Sequence, residues 1–329
     1  MPSFADVRAA AARLAGHAQR TPLLTGTPLD AKVGGRVLLK LETLQHTGSF
    51  KFRGAWNRLT QLNAAQRKAG VVAFSSGNHA QGVAAAARQL GIPATIVMPG
   101  DAPAVKLRNT QTLGATVVLY DRQRESREEI AAKIAVERGA VLVPSFDDPD
   151  IIAGQGTVGL EILEQAAAMG IGVDDVVACC SGGGLVAGIA LAVTALSPTT
   201  RIWCAEPAGF DDYRRSLAAG QRLRNEPGAR SICDALLAPM PGKLTFAINA
   251  ELLSGGLAVT DDEVRAAIGY AARTLKLIVE PGGAVALASV MSGRLETHGR
   301  TVAVVLSGGN IEDALLAEIL LSQAIQIQP

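Results

Sequence analysis

The sequence predicts an α/β protein built on parallel sheets, and three features carry that expectation. Short β-rich runs alternate with alanine-rich helical stretches along most of the chain. The runs are continuously apolar rather than alternating, as strands buried on both faces must be. Glycine-rich turns fall where a run gives way to a helical stretch, the position at which ligands bind in such sheets.

Taken in order, "MPSFADVRAAAARLAGHAQR" reads as an amphipathic helix and lacks the long apolar core of a signal peptide. "VVAFS" (71–75) is a strand leading through "SGNHAQG" into the helical "VAAAARQL". Gly91 and Pro93 punctuate, and "ATIVM" (94–98) is the next strand. "APAVKLRNTQTLG" reads as a helix, "ATVVLY" as a strand, "REEIAAKIAVERG" as a helix and "AVLVPS" as a strand. Such a βαβαβα series argues for right-handed crossovers in a parallel sheet. The second half repeats the habit at longer spacing: "DDVVACC" into "SGGGLVAGIALAVTAL", "RIWCAE" into "PAGFDDYRRS", "TVAVVL" into "SGGNIEDALLAEIL". The expected organisation is a small, mobile α/β domain at 70–147, inserted into a larger one made of 1–69 plus 148–329. "SFDDPDIIAGQG" carries the return crossing, and no appended regulatory domain is expected.

Composition removes several classes of function. The 329 residues are 48% hydrophobic and 19% charged with a formal net charge of +1, which offers no electrostatic basis for binding nucleic acid or an acidic membrane. Aromatics at 4% are too few for a base-stacking platform. Cys179, Cys180, Cys204 and Cys233 include no CxxC pair, so a reducing compartment is expected rather than a disulfide framework or zinc site. No apolar run reaches the roughly 18 residues that cross a bilayer. A soluble, cytoplasmic protein is expected.

The chemistry begins at "FKFRGA" (50–55), where Lys51 stands between two phenylalanines just after Thr47-Gly48-Ser49. It is either a surface residue on the first turn of a helix or a desolvated amine able to act as nucleophile or Schiff-base former. Three glycine turns decide between these. "SGGGL" (181–185) ends a strand and opens a helix, so its free N–H groups suit one phosphate, or its glycines simply let the helix pack closely on the strand; it is neither GxGxxG nor a Walker loop. "SSGNHAQG" (75–82) has the same placement, with Ser75, Ser76, Asn78, His79 and Gln81, and suits a carboxylate or serves as an ordinary helix cap. In "SGGN" (307–310), Ser307 either donates a hydrogen bond into the site or caps the helix that follows. A reactive lysine, a phosphate cradle and a carboxylate cradle together fit pyridoxal 5′-phosphate acting on amino acids.

"TGSFKFRGA", "SSGNHAQG", "SGGGLVAG", "EPGGAVALA" (280–288) and "SGGN" follow one another in the order and spacing of the fold-type II pyridoxal-phosphate enzymes. With "RTPLL" (20–24), the chain resembles the serine/threonine dehydratase and serine racemase branch over nearly its whole length. The resemblance implies two parallel-sheet domains of the tryptophan synthase β-like architecture and a homodimer. It implies that Lys51 forms the cofactor Schiff base and later moves the Cα proton, that Phe50 stacks near the pyridine ring, and that Asn78 bonds its 3′-oxygen. Ser181, Gly182, Gly183, Gly184 and Leu185 would hold the phosphate, and Ser307 would face the pyridine nitrogen. The Ser75–Gln81 loop, including His79, would receive the substrate carboxylate and close over it. The implied reaction is α,β-elimination of L-serine or L-threonine to a 2-oxo acid and ammonia.

Ser76 keeps a second reading open, because in the racemase branch a serine there reprotonates Cα from the face opposite the lysine. In "AEPAGFDDYRRS", Glu206, the carbonyl of Phe210, and Asp212 match a site for Mg²⁺ or another divalent cation in this branch; the plainer reading is a solvated acidic loop. The chain departs from the branch at "CDA" (233–235), where Ala-Asp-Gly is usual, and in the "LLAPMPGKLTF" that follows. That stretch borders the substrate, so 3-hydroxyaspartate and phenylserine stand as further candidates. β-Replacement on the same fold, and a sensor or carrier that only binds the cofactor, are the alternatives from other classes.

Overall fold

A computed structural model describes residues 1–75, 77–102, 104–121 and 123–325. Among these residues ten strands form two sheets. β1 (Leu23–Leu24), β2 (Arg36–Leu41), β7 (Asp175–Cys179), β8 (Arg201–Pro207), β9 (Gly255–Val259) and β10 (Thr301–Leu306) make the larger, in the order β1-β2-β10-β7-β8-β9. Every pairing in it is parallel except that of β1 with β2. β3 (Val71–Phe74), β4 (Ala94–Pro99), β5 (Thr116–Tyr120) and β6 (Val141–Leu142) make the smaller, wholly parallel sheet, ordered β5-β4-β3-β6.

The continuous apolar runs are buried as expected. Val302 through Leu306 are fully enclosed, and each such side chain contributes on the order of 1.5–3 kcal/mol when removed from water. The main core gathers β2, β7, β8 and β10 against the helices Gly184–Leu196 and Pro281–Met291. A second core packs the helices Lys51–Thr60 and Asn78–Leu90 against the smaller sheet.

Strand order is what creates a site. In the smaller sheet the chain steps outward from β3 to β4 and β5, then returns to place β6 on the other side of β3. In the larger sheet it steps from β7 to β8 and β9, then returns to place β10 on the other side of β7. Each return is a topological switch point, where the turns leaving adjacent strands diverge and open a crevice at their carboxyl ends. The two crevices share one cleft, lined from β3 by Ser75 and Asn78, after β6 by Ser145 and Phe146, from β7 by Ser181 to Leu185, and from β10 by Ser307.

Two expectations need correction. "AVLVPS" supplies only the two-residue strand β6, because beyond Val143 the chain turns away from β3. "SGGN" does not open a helix: the last helix starts at Asp313, so Ser307 caps nothing and faces the cleft. Among the described residues no helix is long and apolar enough to cross a membrane.

Candidate active site

Lys51 opens the helix Lys51–Thr60 at the floor of a cleft of about 230 Å³. Two residues on, Arg53 fixes that helix. Its fully buried guanidinium grips Glu42 through Nε and Nη2 at 2.8 Å each, and reaches Glu161 through Nη1 at 2.7 Å. The Lys51 Nζ donates to the Ser145 carbonyl at 2.8 Å and lies 5.1 Å from the centroid of the Phe50 ring. The expected pair of flanking rings is half realised. Successive residues of a helix point about 100° apart, so Phe52 turns into the core beside Trp56 and His46, leaving Phe50 alone beside the amine. Burial pushes the Lys51 amine down to about 8, with Cys179 and Glu280 pulling weakly the other way. That places a neutral, nucleophilic form within ordinary working pH.

The phosphate-type turn follows β7. The N–H groups of Gly182, Gly183, Gly184 and Leu185 donate to no acceptor among the described residues, and they gather where the helix Gly184–Leu196 begins. Gly183 is left-handed at φ +95°, and a Cβ there would collide with the Tyr213 hydroxyl. Glycine is therefore demanded by the fold, while the unanswered donors are what fit an anion. Ser181 closes the turn by accepting the Ala238 N–H at 3.1 Å.

Ser307, only 3% exposed, accepts a hydrogen bond from the Cys179 thiol at 3.1 Å, which leaves its own proton for the cleft. Asn78 is fixed from both sides: its Nδ2 donates to Glu280 at 2.5 Å, and its Oδ1 accepts from Asn310 at 2.7 Å. One amide hydrogen of Asn78 remains for a ligand. Gly77 N–H bonds back to Ser75 Oγ at 3.2 Å, shaping the loop so that the N–H groups of Asn78 and His79 have no acceptor among the described residues. His79 lines the cleft with its ring tied to the Val143 carbonyl at 2.9 Å. Burial and the Lys51 charge push it down to about 3, so the ring stays neutral and is no proton carrier. Gln81 is buried one turn further along and does not line the cleft. Ser76 lies outside the described residues.

Glu206, Phe210 and Asp212 sit apart from the cleft. The Glu206 carboxylate accepts the N–H groups of Tyr213 and Arg214 and so caps the helix Asp212–Ala219. Asp212 Oδ1 accepts from Asn225, while its buried Oδ2 has no partner among the described residues. Among the described residues, no group of three or more His, Cys, Asp or Glu side chains converges as a metal centre.

Several lining groups carry no signal in the sequence. Glu280 belongs to "EPGGAVALA", yet nothing in that motif places its carboxyl against Asn78. Ser145, which receives the Lys51 amine, is silent because it acts through its backbone. Lys106 and Asp234 also line the cleft and form an ion pair at 2.6 Å, with Arg127 nearby over the ring of Phe74.

A buried amine of lowered basicity, an anion cradle at a helix start, a hydroxyl facing the cleft and an oriented amide, all at paired switch points, define a pyridoxal-phosphate enzyme. The family model for pyridoxal-phosphate dependent enzymes matches residues 14–308, and the chain belongs to that family. It is 44% identical to the L-threo-3-hydroxyaspartate ammonia-lyase of Pseudomonas sp. over 97% of this chain and 99% of the other. It is 36% identical to the serine racemase of Schizosaccharomyces pombe, over 97% and 98%. The crystal structure of a T.th. threonine deaminase superposes with a TM-score of 0.89 at 45% identity, covering 94% of this chain and 99% of that one. Maize serine racemase superposes at 0.91 with 37% identity, covering 99% and 98%. These likenesses bear out the α/β, two-sheet fold-type II expectation.

Proposed function

We propose that this chain eliminates water from a β-hydroxy amino acid, giving a 2-oxo acid and ammonia, and that its preferred substrate is L-threo-3-hydroxyaspartate rather than L-serine or L-threonine. The observation that carries the elimination is Ser307: a hydroxyl, not a carboxylate, lines the same cleft as Lys51. The ammonia-lyase relatives support the same reaction, and two of them are named for 3-hydroxyaspartate.

The residues present fit the cofactor. Gly182 to Leu185 would hold the phosphate, Asn78 the 3′-oxygen, Phe50 one ring face and Ser307 the pyridine nitrogen. Pyridoxal phosphate supplies a conjugated electron sink that acidifies the substrate Cα–H. Lys51, neutral above about pH 8, takes that proton as general base, steered by the Ser145 carbonyl. Ser307, a hydroxyl, would hold the ring nitrogen without offering it a strong acid, which would favour loss of the β-hydroxyl together with removal of the proton. The N–H groups and hydroxyls of the Ser75–His79 loop bind the α-carboxylate and exclude water. The released enamine then hydrolyses to the oxo acid and ammonia.

Ser76 and the serine racemase relatives favour racemisation as a second activity of the same site. One panel separates the readings: holoenzyme with L-threo-3-hydroxyaspartate, L-serine, D-serine, L-threonine and phenylserine, scored for oxo acid, ammonia and the opposite enantiomer. Oxo acid in none of them overturns the elimination; enantiomer without oxo acid makes the protein a racemase.

A structural divalent cation at Glu206, the Phe210 carbonyl and Asp212 is supported by Asp212 Oδ2, which has no partner among the described residues, and by two carboxyls that burial pushes upward, Asp212 to about 6 and Glu206 likewise raised. Mg²⁺ should raise the melting temperature of the wild type and leave Asp212→Asn unmoved; equal response of both removes the site.

A further inference from the structure

We propose that Lys106 is the residue that selects a dicarboxylic substrate, its ammonium bridging the substrate's distal carboxylate and Asp234. This rests on the elimination reading above and deepens it.

A dicarboxylic amino acid brings two negative charges into the cleft. Donors without acceptors in the Ser75–His79 loop answer one of them. The second needs a cation, because burying an unpaired carboxylate is costly. Among the described residues, three cations line the cleft: Lys51, Lys106 and Arg127. Lys51 is committed to the reaction. Arg127 stands at the rim, its side chain 39% exposed, with Nε on Glu128 at 2.9 Å and the guanidinium over Phe74.

Lys106 is placed differently. Its side chain is 13% exposed, and its ion pair with Asp234 at 2.6 Å spans the cleft from the helix Ala104–Thr112 to the turn Asp234–Leu236. The charges of Lys106, Asp234 and Lys51 all act on the Glu280 carboxyl, which in turn holds Asn78. Asp234 is itself 52% exposed, so it holds Lys106 from the outer side while the largely covered Lys106 lines the same cleft as Lys51. An ammonium has three donors, and Asp234 takes one. The remaining donors suit a second carboxylate, and Asp234 keeps the ammonium aimed when the substrate is absent. Serine and threonine present nothing to those donors, so the bridge confers selectivity rather than reactivity.

Selectivity is measured on holoenzyme of the wild type, Lys106→Gln and Arg127→Gln. The first readout is kcat/KM for L-threo-3-hydroxyaspartate relative to L-serine. The second is the affinity for L-aspartate relative to L-alanine, unreactive ligands followed through the bound cofactor's absorbance. Losing one charge-assisted hydrogen bond to a desolvated carboxylate should lower both ratios about 100-fold in Lys106→Gln. The Arg127→Gln ratios should move only a few-fold. Unchanged ratios in Lys106→Gln, or the full loss appearing in Arg127→Gln instead, overturn the assignment. Should the wild type release no oxo acid at all, the elimination reading fails, while the aspartate-to-alanine ratio still tests Lys106.

Discussion

Asn78 and Glu280, 202 positions apart in the chain, share a 2.5 Å hydrogen bond at the floor of the cleft. The bond joins the start of the helix Asn78–Leu90 to the residue before the helix Pro281–Met291. It fixes the Asn78 amide, whose carbonyl is simultaneously held by Asn310.

That carboxyl makes a pH signature. Burial and the Asp234 charge push Glu280 up to about 7, against the pull of Asn78, Lys106 and Lys51. An acid that resists ionisation in the fold binds more protons folded than unfolded, between the usual 4.5 and about 7. The cofactor-free protein should therefore lose stability as pH rises through that window, by up to about 3 kcal/mol from this group. Denaturant melts at successive pH values should show the slope in the wild type and a flatter one in Glu280→Gln. Identical slopes would mean that the carboxyl titrates normally.

Lys51 supplies the second signature. Its amine is pushed down to about 8 chiefly by burial, and only the neutral amine attacks an aldehyde. Reloading of stripped protein with pyridoxal phosphate, followed at the visible absorbance, should accelerate as pH rises and level off above about 8. Lys51→Ala should fold, show no such band and turn nothing over; surviving turnover would remove Lys51 from the reaction.

Lys51 and the phosphate turn are legible in the sequence because their chemistry sits in contiguous motifs at strand ends, where a glycine run and a flanked lysine are visible without knowing the fold. Ser307 is legible as a residue but not in its setting, since its motif suggests a helix directly after it, whereas residues 308–310 bond to Gly48, Asn78 and Glu280 and the helix starts only at Asp313. The Asn78–Glu280 and Lys106–Asp234 pairs are not legible. Both follow from strand order, with β6 returning beside β3 and β10 beside β7, and no local pattern encodes on which side a strand inserts. Phe52 shows the reverse error. Adjacency in sequence suggests a ring beside the amine, and helical rotation takes it into the core.

Arg53 lies in the same short motif as Lys51, and its buried pairs with Glu42 and Glu161 set the helix that presents the lysine. Glu42 is fully enclosed, so replacing the arginine leaves a buried carboxylate without its partner. Arg53→Leu should cost about 3–5 kcal/mol in chemical denaturation. Adding Glu42→Leu should recover part of that loss, since a packed apolar pair needs no counter-charge. No recovery would mean that Glu161, and not Glu42, carries the penalty.

Gly183 tests the cradle itself. A side chain there must adopt φ +95°, a strain of about 1–2 kcal/mol, and its Cβ would meet Tyr213. The turn must shift, and with it the N–H groups proposed to hold the phosphate. Gly183→Ala should therefore weaken pyridoxal phosphate at least about 10-fold while leaving pyridoxal, which has the aldehyde but no phosphate, nearly as well bound as in the wild type. The ratio of the two affinities separates a lost anion site from a damaged fold, because general damage weakens both aldehydes alike. If the variant keeps the wild-type ratio, the phosphate is held elsewhere, and the unanswered donors of this turn serve only to begin a helix.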